Sequence, residues 1–218
     1  MTELRQELGL LCCTWDDPRG IMRMFEQDTI EDFDYLCFFD GKFSQWEGEA
    51  EFPESETHSI VRDFGDTHDV NIYYELVEGK TEAEKRNHMF TRAYHIGMDW
   101  GLVVDSDEIP FIDKHLWNQE RDFLKDSQFG CHSVVLDNYN LIQRRPRLFN
   151  MREQPYLLQN PDSLSHNHIY SSIDGRDMAV DITKTSFDVK SITLQHDKEF
   201  HSKYRWEYRH KFAKVKNH

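Results

Sequence analysis

The sequence predicts an α/β protein built on a layered, mainly parallel sheet with helices on both faces. Short, unbroken apolar runs alternate along the chain with segments of helical periodicity, which is the pattern of a parallel sheet covered on both sides. The apolar runs stop at acidic or glycine-containing pairs, as strands do where they enter loops. With 218 residues, the chain is long enough for one ample domain.

The first predicted elements are a strand, a helix and a second strand. Leu8 to Thr14 is a continuous apolar run, which is typical of a buried strand. Pro18 favours the start of a helix, whose apolar side includes Ile21 and Phe25. Tyr35 to Phe39 is again continuously apolar. The three elements together predict a right-handed crossover between parallel strands.

The next segment predicts a loop, a strand and a well-marked helix. Lys42 to Thr57 is acidic and aromatic without a clear period, so we expect a surface loop there. Val70 to Val77 is rich in Val, Ile and Tyr and predicts a strand. Thr81 and Glu84 match a capping box, and Gly97 suits a helix exit, which together predict a helix between them.

The middle of the chain continues the same alternation. Trp100 to Val104 predicts a buried strand, and a helical pattern spans roughly Asp113 to Leu124. Cys131 to Leu136 predicts one further strand. We therefore assign residues 1–137 to one α/β half of the molecule.

Beyond Asn138 the pattern loosens. We expect a mostly irregular stretch punctuated by prolines, then a strand near Ser191 to Leu194 and a closing helix from about Phe200 to Phe212. Residues 138–218 are interpreted as a second segment of the same compact domain.

Charge and composition exclude several classes of protein. The net charge is −14, of which residues 1–79 carry −15 and residues 80–218 carry +1. An acidic protein of this kind does not coat nucleic acid indiscriminately, because that binding requires clustered Lys and Arg. No apolar run approaches the roughly 20 residues of a membrane helix. We expect a soluble, cytoplasmic protein.

The four cysteines are interpreted as reduced core residues. Each lies in or beside an apolar run that predicts a strand, and none has the paired spacing of a zinc site.

The segment that carries most chemistry is Asp105-Ser106-Asp107-Glu108, directly after a predicted strand. Residues two apart on an extended backbone point the same way, so Asp105 and Asp107 can present two carboxylates toward one point. Mg²⁺ or Mn²⁺ relieves the repulsion between such carboxylates and keeps positions open for phosphate oxygens. The alternative is a polar strand exit whose acids cap the next helix.

The run from Glu84 to Pro110 resembles the family 2 glycosyltransferases of the GT-A fold, in which an Arg-Asn pair on a helix precedes a short strand ending in Asp-x-Asp-Glu. Motifs further along the chain follow the order seen in members related to peptide and lipopolysaccharide-core transferases. They are Arg145-Pro146-Arg147-Leu148-Phe149, His166-Asn167-His168, Leu194-Gln195-His196 and Arg205. The resemblance covers about two thirds of the chain. It departs from the family after the second strand, where Asp40-Gly41-Lys42-Phe43 replaces Asp-Gly-Ser-x-Asp.

The resemblance implies that residues 1–137 are the nucleotide-sugar-binding half and that residues 138–218 are the acceptor-side segment with the C-terminal helix. It also implies roles for individual residues. It implies that Asp105 and Asp107 hold a metal ion on the diphosphate of a sugar nucleotide, and that His196 completes the metal or phosphate shell. It implies that Arg86 contacts the nucleotide. The residues implied to surround the base and ribose are Thr14, Trp15, Asp16 and Asp40.

These observations predict a metal-dependent glycosyltransferase that uses Mn²⁺ or Mg²⁺ and moves a sugar from a nucleotide diphosphate donor, UDP-linked by expectation, to an acceptor hydroxyl. The acceptor class stays open among a glycan, a protein and a modified nucleic acid. If the enzyme inverts, a carboxylate takes the acceptor proton, and Asp137 and Glu153 are both candidates. The alternatives are a nucleotidyltransferase and a non-catalytic carbohydrate- or nucleic-acid-binding protein on the same scaffold. A nucleotidyltransferase usually has a Gly-rich first loop, which this chain lacks.

Overall fold

The computed structural model describes residues 7–15, 17–44, 54–125, 130–138, 141–158, 169–172, 177–178 and 188–196. Within them, the strands are β1 (Leu8–Cys13), β2 (Tyr35–Asp40), β3 (Asn71–Leu76), β4 (Trp100–Asp105), β5 (Glu108–Ile112), β6 (Cys131–Asn138), β7 (Leu141–Asn150), β8 (Pro155–Leu158), β9 (Ile169–Ser172), β10 (Asp177–Met178) and β11 (Asp188–His196). The α-helices are α1 (Pro18–Phe25), α2 (Glu54–Gly65), α3 (Glu82–His95) and α4 (Lys114–Lys125). Short 3-10 turns cover Asp28–Asp32 and Met151–Glu153.

One eight-stranded sheet organises the described part of the chain, in the order β3-β2-β1-β4-β7-β6-β11-β5, and β8, β9 and β10 form a smaller antiparallel sheet. The pairs β3–β2, β2–β1, β1–β4 and β6–β11 are parallel, whereas β5 and β7 run antiparallel to their neighbours. Six strands therefore point the same way, and their carboxyl ends share one edge. The predicted mainly parallel α/β sheet is confirmed.

The apolar side chains of β1 alternate between two separate cores on the two faces of the sheet. Leu8, Leu10 and Cys12 belong to the core that includes residues of α1, α2 and α4. Leu11 and Cys13 belong to the other core, where α3 packs. The sheet is therefore covered by helices on both faces, as its unbroken apolar strands predict.

The sheet curls so that its edge strand, β5, comes back close to the central strand β4. Only Ser106 and Asp107 separate β4 from β5 along the chain, yet β5, which pairs with β11, lies four positions from β4 in the strand order. Four strand spacings measure about 19 Å in a flat sheet, while the two-residue link spans at most about 11 Å. The strands from β4 to β5 therefore wrap into an incomplete barrel, and the acidic turn lies at its mouth.

The expectation of a mostly irregular stretch after Asn138 is wrong for β7, which is a ten-residue strand between β4 and β6. Pro146 obscures this strand in the sequence, because proline cannot donate a ladder hydrogen bond. The sheet accommodates it at a bulge: Leu148 pairs with His132, and Pro146 pairs with Ser133. Arg147 is the extra residue of that bulge, a device that re-aims a side chain.

Two further elements differ from expectation. Helix α2 begins at Glu54, inside the segment expected to be a loop up to Thr57. Its apolar face is short, with Val61 and Phe64 packed in the core, so its period is weak in the sequence. Strand β5 is also unexpected, and the predicted helix at 200–212 lies outside the described residues. No helix of the described part is long and apolar enough to cross a membrane.

A buried carboxylate on α4 fixes an irregularity in β11. The pairing of β11 with β6 shifts between Val189 and Thr193, which leaves the intervening residues out of the ladder with β6. The Glu120 carboxylate accepts hydrogen bonds from the backbone N–H of Lys190 at 3.0 Å and of Ser191 at 2.9 Å. Glu120 therefore determines the register in which the end of β11 reaches the acidic turn.

Replacing Glu120 tests this dependence. We expect Glu120→Ala to lower the free energy of unfolding by about 2–4 kcal/mol, because two backbone donors lose their acceptor on burial. Urea denaturation followed by circular dichroism measures the change. The exposed acid on the same helix is the control: Asp122→Ala should change stability by less than about 0.5 kcal/mol. Equal effects of the two substitutions would contradict the assigned role.

Candidate active site at the mouth of the curled sheet

The turn between β4 and β5 is fixed from two sides. The backbone N–H of Asp105 donates to the Glu108 carboxylate at 2.9 Å, which closes the turn. The Ser106 hydroxyl donates to Asp17 at 2.7 Å, and the same carboxylate caps α1 through the N–H of Gly20. A side chain at Gly20 would place its Cβ 2.2 Å from the Ser106 carbonyl oxygen, so only glycine permits this approach.

Asp105 lies between two arginines from different elements. One carboxylate oxygen accepts a hydrogen bond from Arg86 on α3 at 2.8 Å, and the other accepts from Arg147 on β7 at 2.9 Å. Arg147 also donates to Glu108 at 2.7 Å. These charge-assisted bonds join α3, β4, β5 and β7 at a single point.

Burial shifts the protonation equilibria of this network. Burial raises the pKa of Glu108 to about 7, and the nearby Arg147 opposes part of that rise. For Arg147, burial acts to lower the pKa, but the carboxylates of Asp105 and Glu108 more than offset it and the pKa is raised. Arg147 therefore stays cationic, and its charge compensates the buried carboxylate of Glu108 and the partly exposed carboxylate of Asp105.

Asp107 and His196 meet although 89 residues separate them. The His196 Nε2 atom lies 3.1 Å from a carboxylate oxygen of Asp107, across the pairing of β5 with β11. The hydrogen bond with Asp107 raises the pKa of His196, and burial only partly opposes this. The structure thus brings together a carboxylate and an imidazole that the resemblance assigns to one metal shell.

The ends of β1 and β2 lie side by side at the same edge of the sheet. Thr14 is buried, and its N–H donates to the Phe39 carbonyl at 3.0 Å. Trp15 is 8% exposed, with the Lys42 ammonium 5.7 Å from its ring centroid. The carboxylate of Asp40 accepts from its neighbour Gly41 at 2.7 Å and from Tyr74 at 3.0 Å. Three of the four residues expected to surround the base and ribose are therefore adjacent.

Asp16 lies outside the described residues, as do His166 and His168.

The two candidate bases, Asp137 and Glu153, lie at opposite ends of the strands. Asp137 is exposed near the carboxyl end of β6 and pairs with Gln195, the neighbour of His196. Glu153 follows the end of β7, beyond the pairing of Asn150 with Trp100 at the start of β4. The structure therefore places Asp137 at the same end of the strands as the acidic turn and Glu153 at the opposite end.

The donor atoms near the turn fit a divalent ion in one respect. Asp107 and His196 offer an oxygen and a nitrogen ligand, and one or two protein carboxylates completed by substrate phosphates are a usual arrangement for Mg²⁺. Among the described residues, no group of three or more His, Cys, Asp or Glu side chains forms a metal cluster. Asp105 has both oxygens bonded to arginine. The fitting ligand pair is therefore Asp107 with His196.

Sequence reasoning about the site missed Arg147 and Glu108. Both residues lie in motifs that carry the resemblance, Arg147 in Arg145-Pro146-Arg147-Leu148-Phe149 and Glu108 at the end of Asp-x-Asp-Glu, but neither is given a role at the site from the sequence. A proline inside a basic, alternating segment is the signal that indicates a bulged strand. That signal predicts an irregular side-chain direction but not its target.

The pairing of Asp107 with His196 has a measurable consequence in the metal-free protein. We expect Asp107→Asn to lower the pKa of His196 relative to wild type, because the imidazolium loses its carboxylate partner. The pair stabilises the fold fully below about pH 6.5, and this contribution disappears as the pH rises through the raised pKa of His196. Histidine NMR titration, assigned with His196→Gln, measures the shift. Asp122→Asn is the control, and an unchanged His196 titration in Asp107→Asn would contradict the contact.

Comparisons with known proteins return structural neighbours only: no family model matches the chain, and no curated protein matches its sequence. Residues 1–349 of TarS from S. aureus align at 14% identity and a TM-score of 0.41, covering 65% of this chain and 39% of that one. Glucosyl-3-phosphoglycerate synthase from Mycobacterium tuberculosis, in complex with Mn²⁺, UDP and phosphoglyceric acid, aligns at 11% identity and a TM-score of 0.37, covering 62% and 44%. This chain thus spans less than half the length of either.

A third neighbour is 4-diphosphocytidyl-2C-methyl-D-erythritol synthase from Anaerococcus prevotii, at 11% identity and a TM-score of 0.36, covering 67% of this chain and 72% of that one. All three neighbours align at 14% identity or less and with TM-scores below 0.5.

Proposed function

We propose that the protein is a metal-dependent glycosyltransferase that moves a sugar from a nucleoside diphosphate donor, UDP-linked, to an acceptor hydroxyl. The observation that carries this proposal is the convergence, at one edge of the sheet, of the Asp107–His196 pair with the two arginines on Asp105. The ends of β1 and β2 lie at the same edge, where ligands of open α/β sheets bind. The two guanidinium groups and the ends of β1 and β2 therefore lie at the same end of the strands.

Arg86 and Arg147 supply the positive charge that the departing diphosphate needs. A guanidinium has five N–H donors, so an arginine that binds Asp105 can also bind a phosphate oxygen. Because Asp105 and Glu108 hold these groups in place, little reorganisation is needed as negative charge develops on the leaving oxygen. In this role Asp105 positions Arg86 and Arg147 at the donor site.

A Mn²⁺ or Mg²⁺ ion held by Asp107 and His196 would supply further Lewis-acid stabilisation of the diphosphate. Thr14, Trp15, Asp16 and Asp40 are proposed to surround the base and ribose.

In an inverting transfer, the acceptor oxygen forms a bond to the anomeric carbon while the bond from that carbon to the diphosphate oxygen breaks. The electron pair of the broken bond leaves with the nucleoside diphosphate, and the acceptor proton passes to a carboxylate. Asp137 is the better candidate for this base, since it is exposed beside Gln195 at the edge that holds the acidic turn. Glu153 lies at the opposite end of the strands.

Donor binding tests the proposal directly. We expect UDP to raise the melting temperature of the wild-type protein, and Mn²⁺ to increase that shift, because a ligand at 100 times its dissociation constant stabilises the fold by about 2.7 kcal/mol. Asp107→Asn should lose the metal-dependent part, while the exposed control Asp122→Asn should keep it. Scanning fluorimetry with a series of nucleoside diphosphates measures both. An undiminished metal-dependent shift in Asp107→Asn would count against the site.

Turnover separates the two candidate bases. We expect Asp137→Asn to lower the rate of UDP release by about 10²–10⁴-fold with nucleotide affinity retained, because only the proton acceptor is removed. Glu153→Gln should release UDP at the wild-type rate. A coupled assay for UDP measures glycosyl transfer, and release of pyrophosphate in its place would indicate nucleotidyl transfer. Loss of activity in Glu153→Gln alone would contradict the assignment.

A further inference from the structure

A fully buried ammonium group connects α3 to the ends of two strands. Lys85 is 0% exposed, and its Nζ atom donates to the carbonyl oxygen of Thr14 at 2.8 Å and to that of Gly41 at 2.7 Å. The same atom lies 4.4 Å from the ring centroid of Phe43, within the range of a cation–π contact. The two carbonyls belong to different loops, one after β1 and one after β2.

Burying an ammonium group is costly unless hydrogen bonds replace the lost water. The placement of Lys85 is nevertheless built into α3, because the capping box of Thr81 and Glu84 fixes where the helix begins. Lys85 follows one turn later, and Met89, a further turn along, contacts the thiol of Cys13 at the end of β1. The helix is thus anchored to β1 independently of Lys85. The ammonium group instead connects the loops after β1 and β2 through its two hydrogen bonds.

The backbone at Gly41 depends on such a tie. Gly41 has a positive φ of +112°, and a Cβ there would lie 2.9 Å from the Val77 carbonyl oxygen. A glycine in this conformation gains much backbone freedom when its contacts are lost. Lys85 removes that freedom by holding the Gly41 carbonyl against the loop of the neighbouring strand.

We propose that Lys85 is a positioning residue that joins the β1 and β2 loops into one rigid receptor for the base and ribose of a nucleoside diphosphate. The inference rests on the proposed function, since it takes these loops as the nucleotide site. Lys85 itself donates to backbone carbonyls and acts on the nucleotide through them. Its neighbour Arg86 binds Asp105, so one helical turn aligns the loops with the acidic turn.

The proposal separates nucleotide affinity from overall stability. Lys85→Met retains the length and apolar stem of the side chain but removes every donor. We expect Lys85→Met to weaken the affinity for UDP by at least about tenfold, as the loss of charged hydrogen bonds predicts. Isothermal titration of UDP into the 218-residue chain measures the affinity. Lys85→Gln, which keeps two N–H donors, should recover part of it.

Asn87 on the same helix provides a matched control. Its amide makes two hydrogen bonds to the backbone of Leu157, at 3.0 and 2.6 Å. These bonds connect α3 to β8 and not to the loops after β1 and β2. Asn87→Ala should lower stability while leaving UDP affinity within about twofold of wild type. Hydrogen exchange should accelerate at Thr14 and Gly41 in Lys85→Met, and at Leu157 in Asn87→Ala.

Each outcome decides between the two claims. If the wild-type protein binds UDP and Lys85→Met binds it equally well, this inference is overturned and the proposed function stands. Equal losses of affinity in Lys85→Met and Asn87→Ala also overturn it, because they indicate a general effect of stability. If the wild-type protein binds no nucleoside diphosphate, both claims fall. If Lys85→Met does not fold, Lys85→Leu, which also lacks every donor, carries the same comparison, and wild-type affinity in that variant with unaltered loop exchange refutes the tie.

Discussion

The site depends on the compensation of charge around Asp105. Two guanidinium groups, from Arg86 and Arg147, hold its carboxylate, and Arg147 also holds the buried Glu108. Removing one member of such a buried network leaves its partners uncompensated, which costs far more than the network contributes relative to apolar packing. The arrangement holds the guanidinium groups of Arg86 and Arg147 at the carboxyl ends of the strands. Stability alone would be served as well by hydrophobic residues.

The geometry of the sheet makes that compensation possible. Because the strands from β4 to β5 curl back on themselves, the acidic turn contacts β11 at the far edge while staying joined to β4. Two irregularities then place the partners: the bulge in β7 carries Arg147, and Glu120 holds the register shift of β11 that precedes His196. On the other side of the turn, α3 presents Lys85 to the β1 and β2 loops and Arg86 to Asp105. The β7 bulge, the Glu120 carboxylate and helix α3 thus all position side chains around the acidic turn, residues 105–108.

Local signals account for what was predictable. The capping box at Thr81 is present with both hydrogen bonds, and Gly97 has the positive φ expected of a helix exit. The apolar runs predicted β1, β2, β4 and β6, since strands buried on both faces leave a continuous apolar pattern. Strand β7 was not predicted from the sequence because its residues are basic and include a proline. A strand between two neighbours gains its hydrogen bonds from them whatever its own propensity. Helix α2 escaped because few of its side chains enter the core.

The sequence by itself determined strands β1, β2, β4 and β6, helix α3, the acidity of the turn and the candidates Asp105 and Asp107, because these follow from apolar runs, capping signals and spacings of a few residues. The candidate His196 came from the family resemblance. Tertiary structure alone decided which charge meets which. It paired Asp107 with His196, gave Asp105 to two arginines, buried Lys85 between two loops and separated Asp137 from Glu153. The reason is physical: these contacts join residues up to 89 positions apart, and only the curl of the sheet and its bulges fix where such side chains point.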